Sequence, residues 1–291
     1  MKLLIWIKSD RNDDHGVWAW LVASHFIEVT DCEVIAADAN WHNAAWSPDE
    51  VWGGLVFNAD GDAETIAKLR QNGKPCLYYP TIGSVCNGML HEGVLHEMAH
   101  RTGTRLKMQE ASAVLCDSFV QARAARDHYD LTTAYIAIPP PVDMVDTGED
   151  VWTVKRMLVT ERPPPIIVER LPAHVVMSED RILCELAQGA RDCGVVWAAA
   201  PWYGYKLMQI AAYGVPLAAL DMGLVDAHSA IASWCSEDRP LNLAPLMDVA
   251  QGACRARSRE AQRFTWSVWC QSVLSNLRRL KVSPVQRFIA R

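Results

Sequence analysis

The chain lacks most of the features by which a sequence declares itself early. No apolar run approaches the roughly 18 residues needed to cross a bilayer, and there is no internal repeat and no low-complexity tract. Its nine cysteines include no CxxC pair, and Cys76, Cys116, Cys184 and Cys193 stand in apolar surroundings. That pattern argues against a disulfide framework or a zinc ribbon and for reduced core thiols in a cytosolic protein. Excess positive charge is also missing: the net charge is −6, which gives no overall pull toward nucleic acid. The opening Met1-Lys2-Leu3-Leu4-Ile5-Trp6-Ile7-Lys8 is too short for a signal-peptide core and reads as a first β-strand, so a cytoplasmic location is expected.

What is present is a chain able to bury a substantial core. Half of its 291 residues are hydrophobic and 21% are charged, enough for two ordinary domains or one large α/β unit. Twelve tryptophans are many, and Trp18, Trp20, Trp41, Trp46 and Trp52 gather near the start. Most suit a core, and an exposed one would suit stacking on a sugar or a base. Charge is unevenly spread. From Arg255 to Arg291 the bases Arg255, Arg257, Arg259, Arg263, Arg278, Arg279, Lys281, Arg287 and Arg291 meet a single acid, Glu260. Such a stretch is a solvated face, a patch against the acidic remainder, or a phosphate-binding surface.

Short β-branched runs alternate with helical patterns. Strands are expected at Leu3–Ile7, Cys32–Ala36, Gly54–Asn58, Pro75–Tyr79, Ala113–Cys116 and Thr133–Ile138, with helices at His15–Ile27, Asp62–Asn72, Gly88–Thr102 and Phe119–Tyr129. Alternation at this spacing implies right-handed βαβ units and a parallel sheet. Ile138-Pro139-Pro140-Pro141-Val142-Asp143 then removes three backbone donors and stiffens the chain, which suits a domain boundary. Strands resume at Arg156–Val159, Ile166–Glu169, His174–Met177, Gly194–Ala198 and Pro216–Ala219, with helices at Glu179–Ala190 and Lys206–Tyr213. The expected division is an N-terminal domain over 1–141, a second over 142–257, and basic C-terminal helices over 258–291.

Four stretches could carry chemistry. Tyr203-Gly204-Tyr205-Lys206 opens a helix that runs through Gln209 to Gly214, followed by Val-Pro and a strand. Free backbone N–H groups at such a helix start suit a diphosphate, Lys206 adds a point charge, and Gln209 one turn on can bond a sugar hydroxyl. An ordinary helix-to-strand connection reads the same way. His96-Glu97-Met98-Ala99-His100 matches the HExxH motif of a zinc metallohydrolase, the alternative function of another class, with both imidazoles as ligands, Glu97 as general base and Glu110 or His128 as a third ligand. The loop Ser9-Asp10-Arg11-Asn12-Asp13-Asp14-His15-Gly16 ends the first strand. Asp13 or Asp14 beside His15 can orient the ring of a general base, or simply cap the helix in a solvated turn. Asp60 and Asp62 form a similar pair. Finally, Arg162 after Glu161 can clamp a diphosphate opposite Lys206, with Lys155, Arg156 and Arg170 competing for that role.

Two of these segments carry a family resemblance. Ala111–Val120, then Ala124, Arg126 and Tyr129, then Ile138–Asp143 resemble the end of the N-terminal domain in GT-B glycosyltransferases. The Lys206–Pro216 run resembles that family's donor stretch, where a Lys-Leu pair precedes an acidic residue, a glycine and a proline. The resemblance implies an α/β protein of two Rossmann-like domains whose parallel sheets face across a cleft, an acceptor domain first and a donor domain second, with the basic helices of 258–291 crossing back to pack on the first. It implies transfer of a sugar from a nucleotide-diphosphate sugar, a UDP-sugar above all, as co-substrate, with no metal and no other cofactor. Gly204, Tyr205, Lys206, Gln209 and Arg162 would hold the donor; Asp13, Asp14 and His15 would supply catalysis. Gln209 stands where the family has a ribose-binding glutamate, and the family's other acidic position, eight residues earlier, is Pro201. Val51–Ala59, Lys74–Thr81 and the basic end are also similar to bacteriophage DNA glucosyltransferases. Their general-base aspartate would fall near Thr81, where no carboxylate stands. This second likeness implies double-stranded DNA carrying hydroxymethyl pyrimidines as acceptor and partner, and a host cytoplasm as location. A saccharide, lipid or protein acceptor is the alternative.

Overall fold

A computed structural model describes residues 1–7, 14–37, 46–59, 61–80, 98–117, 122, 126, 132–144, 156–159, 176–179, 195–198, 204–215, 217–220, 232–235 and 251–280. The chain divides into two compact units, Met1–Ile138 with Ser267–Arg291, and Pro139–Trp266.

The first unit is built on a six-stranded sheet: β1 (Lys2–Trp6), β2 (Val34–Ala37), β3 (Val51–Phe57), β4 (Cys76–Tyr79), β5 (Ala113–Cys116) and β6 (Ala134–Ala137). Its order is β2-β1-β3-β4-β5-β6, and every pairing is parallel. β1, β3, β4 and β5 are apolar almost without interruption and buried at nearly every position, as strands covered on both faces must be. Helices α1 (Asp14–Val29), α2 (Asp62–Gln71) and α3 (Met98–Glu110) lie between strands. Gly54 lets α2 close in, since a Cβ there would meet Leu69 Cδ1 at 2.5 Å.

The last described helix, α6 (Trp266–Arg279), completes this core. Trp269 is fully buried, edge-on to Trp18 at 5.9 Å and to Phe26 at 6.0 Å, both in α1. Leu277 of the same helix lies 3.5 Å from where a Cβ on Gly53 would stand. Arg278 sits over the Trp52 ring at 5.8 Å. Cys32, Cys76, Cys116 and Cys270 are not joined in disulfides, and burial pushes the Cys76 thiol well up.

The second unit contains β7 (Arg156–Val159), β8 (Val176–Glu179), β9 (Val195–Ala198), β10 (Leu217–Leu220) and β11 (Ala232–Cys235). They run parallel in the order β11-β10-β9-β7-β8. Helix α4 (Gly204–Ala212) joins β9 to β10, and α5 (Gln251–Ala261) packs against it. Gly214 ends α4 at φ +81°, the left-handed position that glycine fills without a Cβ penalty. The buried Ala212 carbonyl at the end of α4 accepts from Ser258 Oγ of α5 at 2.7 Å and from Gln262 Nε2, just beyond α5, at 3.4 Å. The chain enters this unit through Pro139–Val142 and leaves it at the first residue of α6. Val142 N donates to Phe264 O at 2.8 Å and pairs with Thr265, so entrance and exit run side by side.

The described elements differ from expectation in a few places. The helix expected over Gly88–Thr102 is described from Met98 and runs on to Glu110. The strand expected at His174–Met177 is displaced to Val176–Glu179. The expected strand Ile166–Glu169 and nearly all of the helices expected at Glu179–Ala190 and Phe119–Tyr129 lie outside the described residues.

Candidate functional site

In a parallel α/β sheet, ligands bind beyond the carboxyl ends of the strands, where the strand order reverses. Each unit has one such point. In the first, β1 is followed by β2 on one side and β3 on the other. The reversal therefore lies between β1 and β3, and the segment after β1 leads to Asp14 and His15 at the head of α1. Asp13 and the side chains of Asp14 and His15 lie outside the described residues. In the second unit β7 is followed by β8 on one side and β9 on the other. The segment after β9 leads to Gly204, Tyr205 and Lys206 at the head of α4. Arg162, three residues past the end of β7, and the Lys206 side chain lie outside the described residues.

Helix α4 is buried all round in its second half. Met208, Gln209, Ile210, Ala211 and Ala212 are buried. Gln209 and Tyr205, one turn apart, both meet Asp143. The Gln209 amide pairs with the Asp143 peptide: Asp143 N donates to Oε1 at 2.7 Å, and Nε2 donates to Asp143 O at 3.4 Å. The Asp143 carboxylate accepts from Tyr205 OH at 3.2 Å and from Trp266 Nε1 at 2.8 Å. The Tyr205 and Trp266 rings lie 6.0 Å apart. An amide offers both donor and acceptor, so glutamine matches a peptide on both sides. A glutamate at 209 would set a carboxylate against the Asp143 carbonyl oxygen.

At the carboxyl edge of the first sheet the structure adds a residue to which sequence reasoning gave no role. Asp117 directly follows β5 and is 1% exposed. It accepts a hydrogen bond from Tyr79 OH, at the end of β4, at 2.5 Å. Burial pushes the Asp117 carboxyl up to about 7 despite the opposing effect of the Tyr79 hydrogen bond. Burial, and then the nearby Asp117 charge, drive the Tyr79 phenol well up. The signal in the sequence was an acid placed at the end of an apolar strand. Asp62 is committed elsewhere: buried at the start of α2, it pairs with Lys107 Nζ at 2.9 Å and with Ala63 N at 2.6 Å, and accepts from Tyr78 OH at 3.4 Å. Asp60 lies outside the described residues.

Of the zinc-like motif, His96 and Glu97 lie outside the described residues, while His100 falls in the first turn of α3. No group of three metal-ligating side chains occurs among the described residues, and no described helix is long and apolar enough to cross a membrane.

No protein-family model and no curated protein matches the sequence. Solved structures do match. Sucrose-phosphate synthase from Thermosynechococcus elongatus superposes with a TM-score of 0.63 at 10% identity, covering 96% of this chain and 99% of that one. HepE from Anabaena, solved in complex with UDP-glucose, gives a TM-score of 0.57 at 12% identity, over 96% of this chain and 99% of its own. The chain therefore has the α/β fold of the GT-B glycosyltransferases.

Proposed function

We propose that this protein transfers a sugar from a nucleoside-diphosphate sugar, a UDP-sugar above all, to an acceptor hydroxyl. The observation that carries the reading is the placement of α4. Its N-terminus follows β9 at the strand-order reversal of the second unit, in a fold shared with a protein solved with UDP-glucose. Free N–H groups at such a helix start suit a diphosphate. In this reading Gly204 and Tyr205 supply the helix head, and Lys206 and Arg162 neutralise the departing diphosphate. Each Gln209 amide group keeps one further hydrogen-bonding valence for a ribose hydroxyl.

The sugar C1–O bond to the diphosphate breaks as a bond from C1 to the acceptor oxygen forms, and the acceptor proton passes to His15, oriented by Asp13 or Asp14. The side-chain cations carry the charge neutralisation, so the reaction as proposed calls on no metal and no cofactor.

The acceptor reading from sequence, hydroxymethylated DNA, rests on the likeness at Val51–Ala59 and Lys74–Thr81 and on the basic stretch from Arg255. Part of that stretch is engaged within the protein: Arg257 is buried, Arg263 pairs with Glu260 at 3.0 Å and Arg278 lies over Trp52. Saccharide acceptors are therefore tested alongside DNA. The donor site is tested by calorimetry with UDP, UDP-glucose and GDP-sugars, where Lys206→Ala should weaken binding. Absence of binding by every nucleotide would overturn the proposal. Radiolabelled transfer to hydroxymethyl-pyrimidine DNA, unmodified DNA and a saccharide panel decides the acceptor; label in the saccharides alone removes DNA.

A further inference from the structure

We propose that Asp143 is a positioning residue of the donor site, holding Tyr205 at the head of α4 by bonding it together with Trp266. The inference rests on the donor reading given above.

Three parts of the second unit that are far apart in sequence meet at Asp143. The residue belongs to the segment by which the chain enters the unit. Tyr205 stands in the first turn of α4, and Trp266 is the unit's last residue. The side chain and the main chain of Asp143 have separate work. The main chain pairs with Gln209 and pins the first turns of α4 to the entering segment. The carboxylate bridges the Tyr205 hydroxyl and the Trp266 indole, one through each oxygen. Trp266 is buried at 5% exposure, so its indole is a fixed anchor and the carboxylate transmits that fixity to the half-buried Tyr205. A tyrosine held in one rotamer at a binding site has already lost the freedom that binding would otherwise cost.

The arrangement runs against simple electrostatics. A carboxylate bonded to a residue at the head of α4 opposes the approach of a diphosphate, and a purely electrostatic account has its removal tighten binding. A positioning role predicts the opposite sign for Asp143→Ala, because Tyr205 is released. Asparagine separates the two effects. Its Oδ1 still accepts from Trp266 and its Nδ2 can donate to the Tyr205 oxygen, while the charge is gone.

The test is UDP binding by calorimetry at 25 °C, with thermal melts in parallel, on the full chain and four variants. Freeing one ordered side chain corresponds to about a fivefold loss of affinity, and that loss is expected for Asp143→Ala. Tyr205→Phe should show a similar loss, and the double variant should be no weaker than Asp143→Ala alone, since both changes break the same bond. Asp143→Asn should bind UDP as well as the unmodified protein or better. Tighter binding by Asp143→Ala, additive losses in the double variant, or a lowered melting temperature with unchanged affinity would each overturn the proposal. If the unmodified protein itself binds neither UDP nor UDP-glucose, the donor reading beneath it fails and takes this inference with it, an outcome recognisable because all variants are then equally inert.

Discussion

Replacing Asp117 by asparagine should abolish a defined part of the protein's pH-dependent stability. In the folded chain its carboxyl ionises at about 7, against an ordinary 3.8. Below pH 4 both folded and unfolded chains hold the proton, and above pH 7 neither does. Between these limits the folded chain alone keeps it, so stability falls as pH rises. The full difference is about 4 kcal/mol, and about 3 kcal/mol of it falls between pH 5 and pH 8. Asparagine has nearly the same shape and still accepts from Tyr79, but carries no ionisable proton. Urea titrations followed by tryptophan fluorescence at pH 5, 6, 7 and 8 should show the parent losing stability relative to Asp117→Asn across that range. Taking the difference cancels the other titrating groups. A difference that stays constant with pH, or one that moves in the parent's favour as pH rises, would refute the reasoning. Tyr79→Phe supplies an internal check: the Tyr79 hydrogen bond holds the carboxyl down, so without it the falling limb should move to higher pH.

Gln209→Glu should lower stability by about 1–3 kcal/mol above pH 6, since it trades the donor to Asp143 O for an acceptor with no partner there; thermal melts decide, and an unchanged melting temperature would show that the amide pairing is idle. Trp269→Ala should cost about 3–5 kcal/mol by emptying the contact with Trp18 and Phe26, read from chemical denaturation. Lys107→Met should cost about 3 kcal/mol by leaving the buried Asp62 charge without its cation, and adding Asp62→Asn should recover much of that loss. Ser258→Ala should cost about 1–2 kcal/mol, because the Ala212 carbonyl keeps only the longer bond from Gln262.

How legible these features were in the sequence depended on how local their causes are. β5 was readable at its observed bounds because Ala113–Cys116 is apolar and covered on both faces. The head and end of α4 were readable because Gly204 and Gly214 punctuate it. Helix α3 was misjudged at its end. Its described portion is polar, with Thr104 and Met108 as buried positions one turn apart, too thin an apolar stripe to extend the pattern past Thr102. Strand β11, Ala-Ser-Trp-Cys, is too short for alternation to show. The location of the candidate site was legible, since the strand and helix succession alone puts the loops after β1 and β9 at carboxyl edges. The function of Gln209 within the fold was not. Its partner Asp143 lies 66 residues away, and Trp266 lies 123 residues from Asp143; no periodicity reports a contact at such a distance.

The core of the first unit closes with Trp269, which follows the whole of Pro139–Trp266 in the chain. On the ribosome, at roughly 5–20 residues per second, Trp18 and Phe26 must wait on the order of ten seconds beyond the completion of β6 before their partner emerges. The second unit, contiguous and with its two ends already paired through Val142 and Thr265, is complete first. Synthesis order and completion are therefore opposed in this chain: the unit that is begun first is finished last, and it spends the interval with α1 lacking its contacts to Trp269.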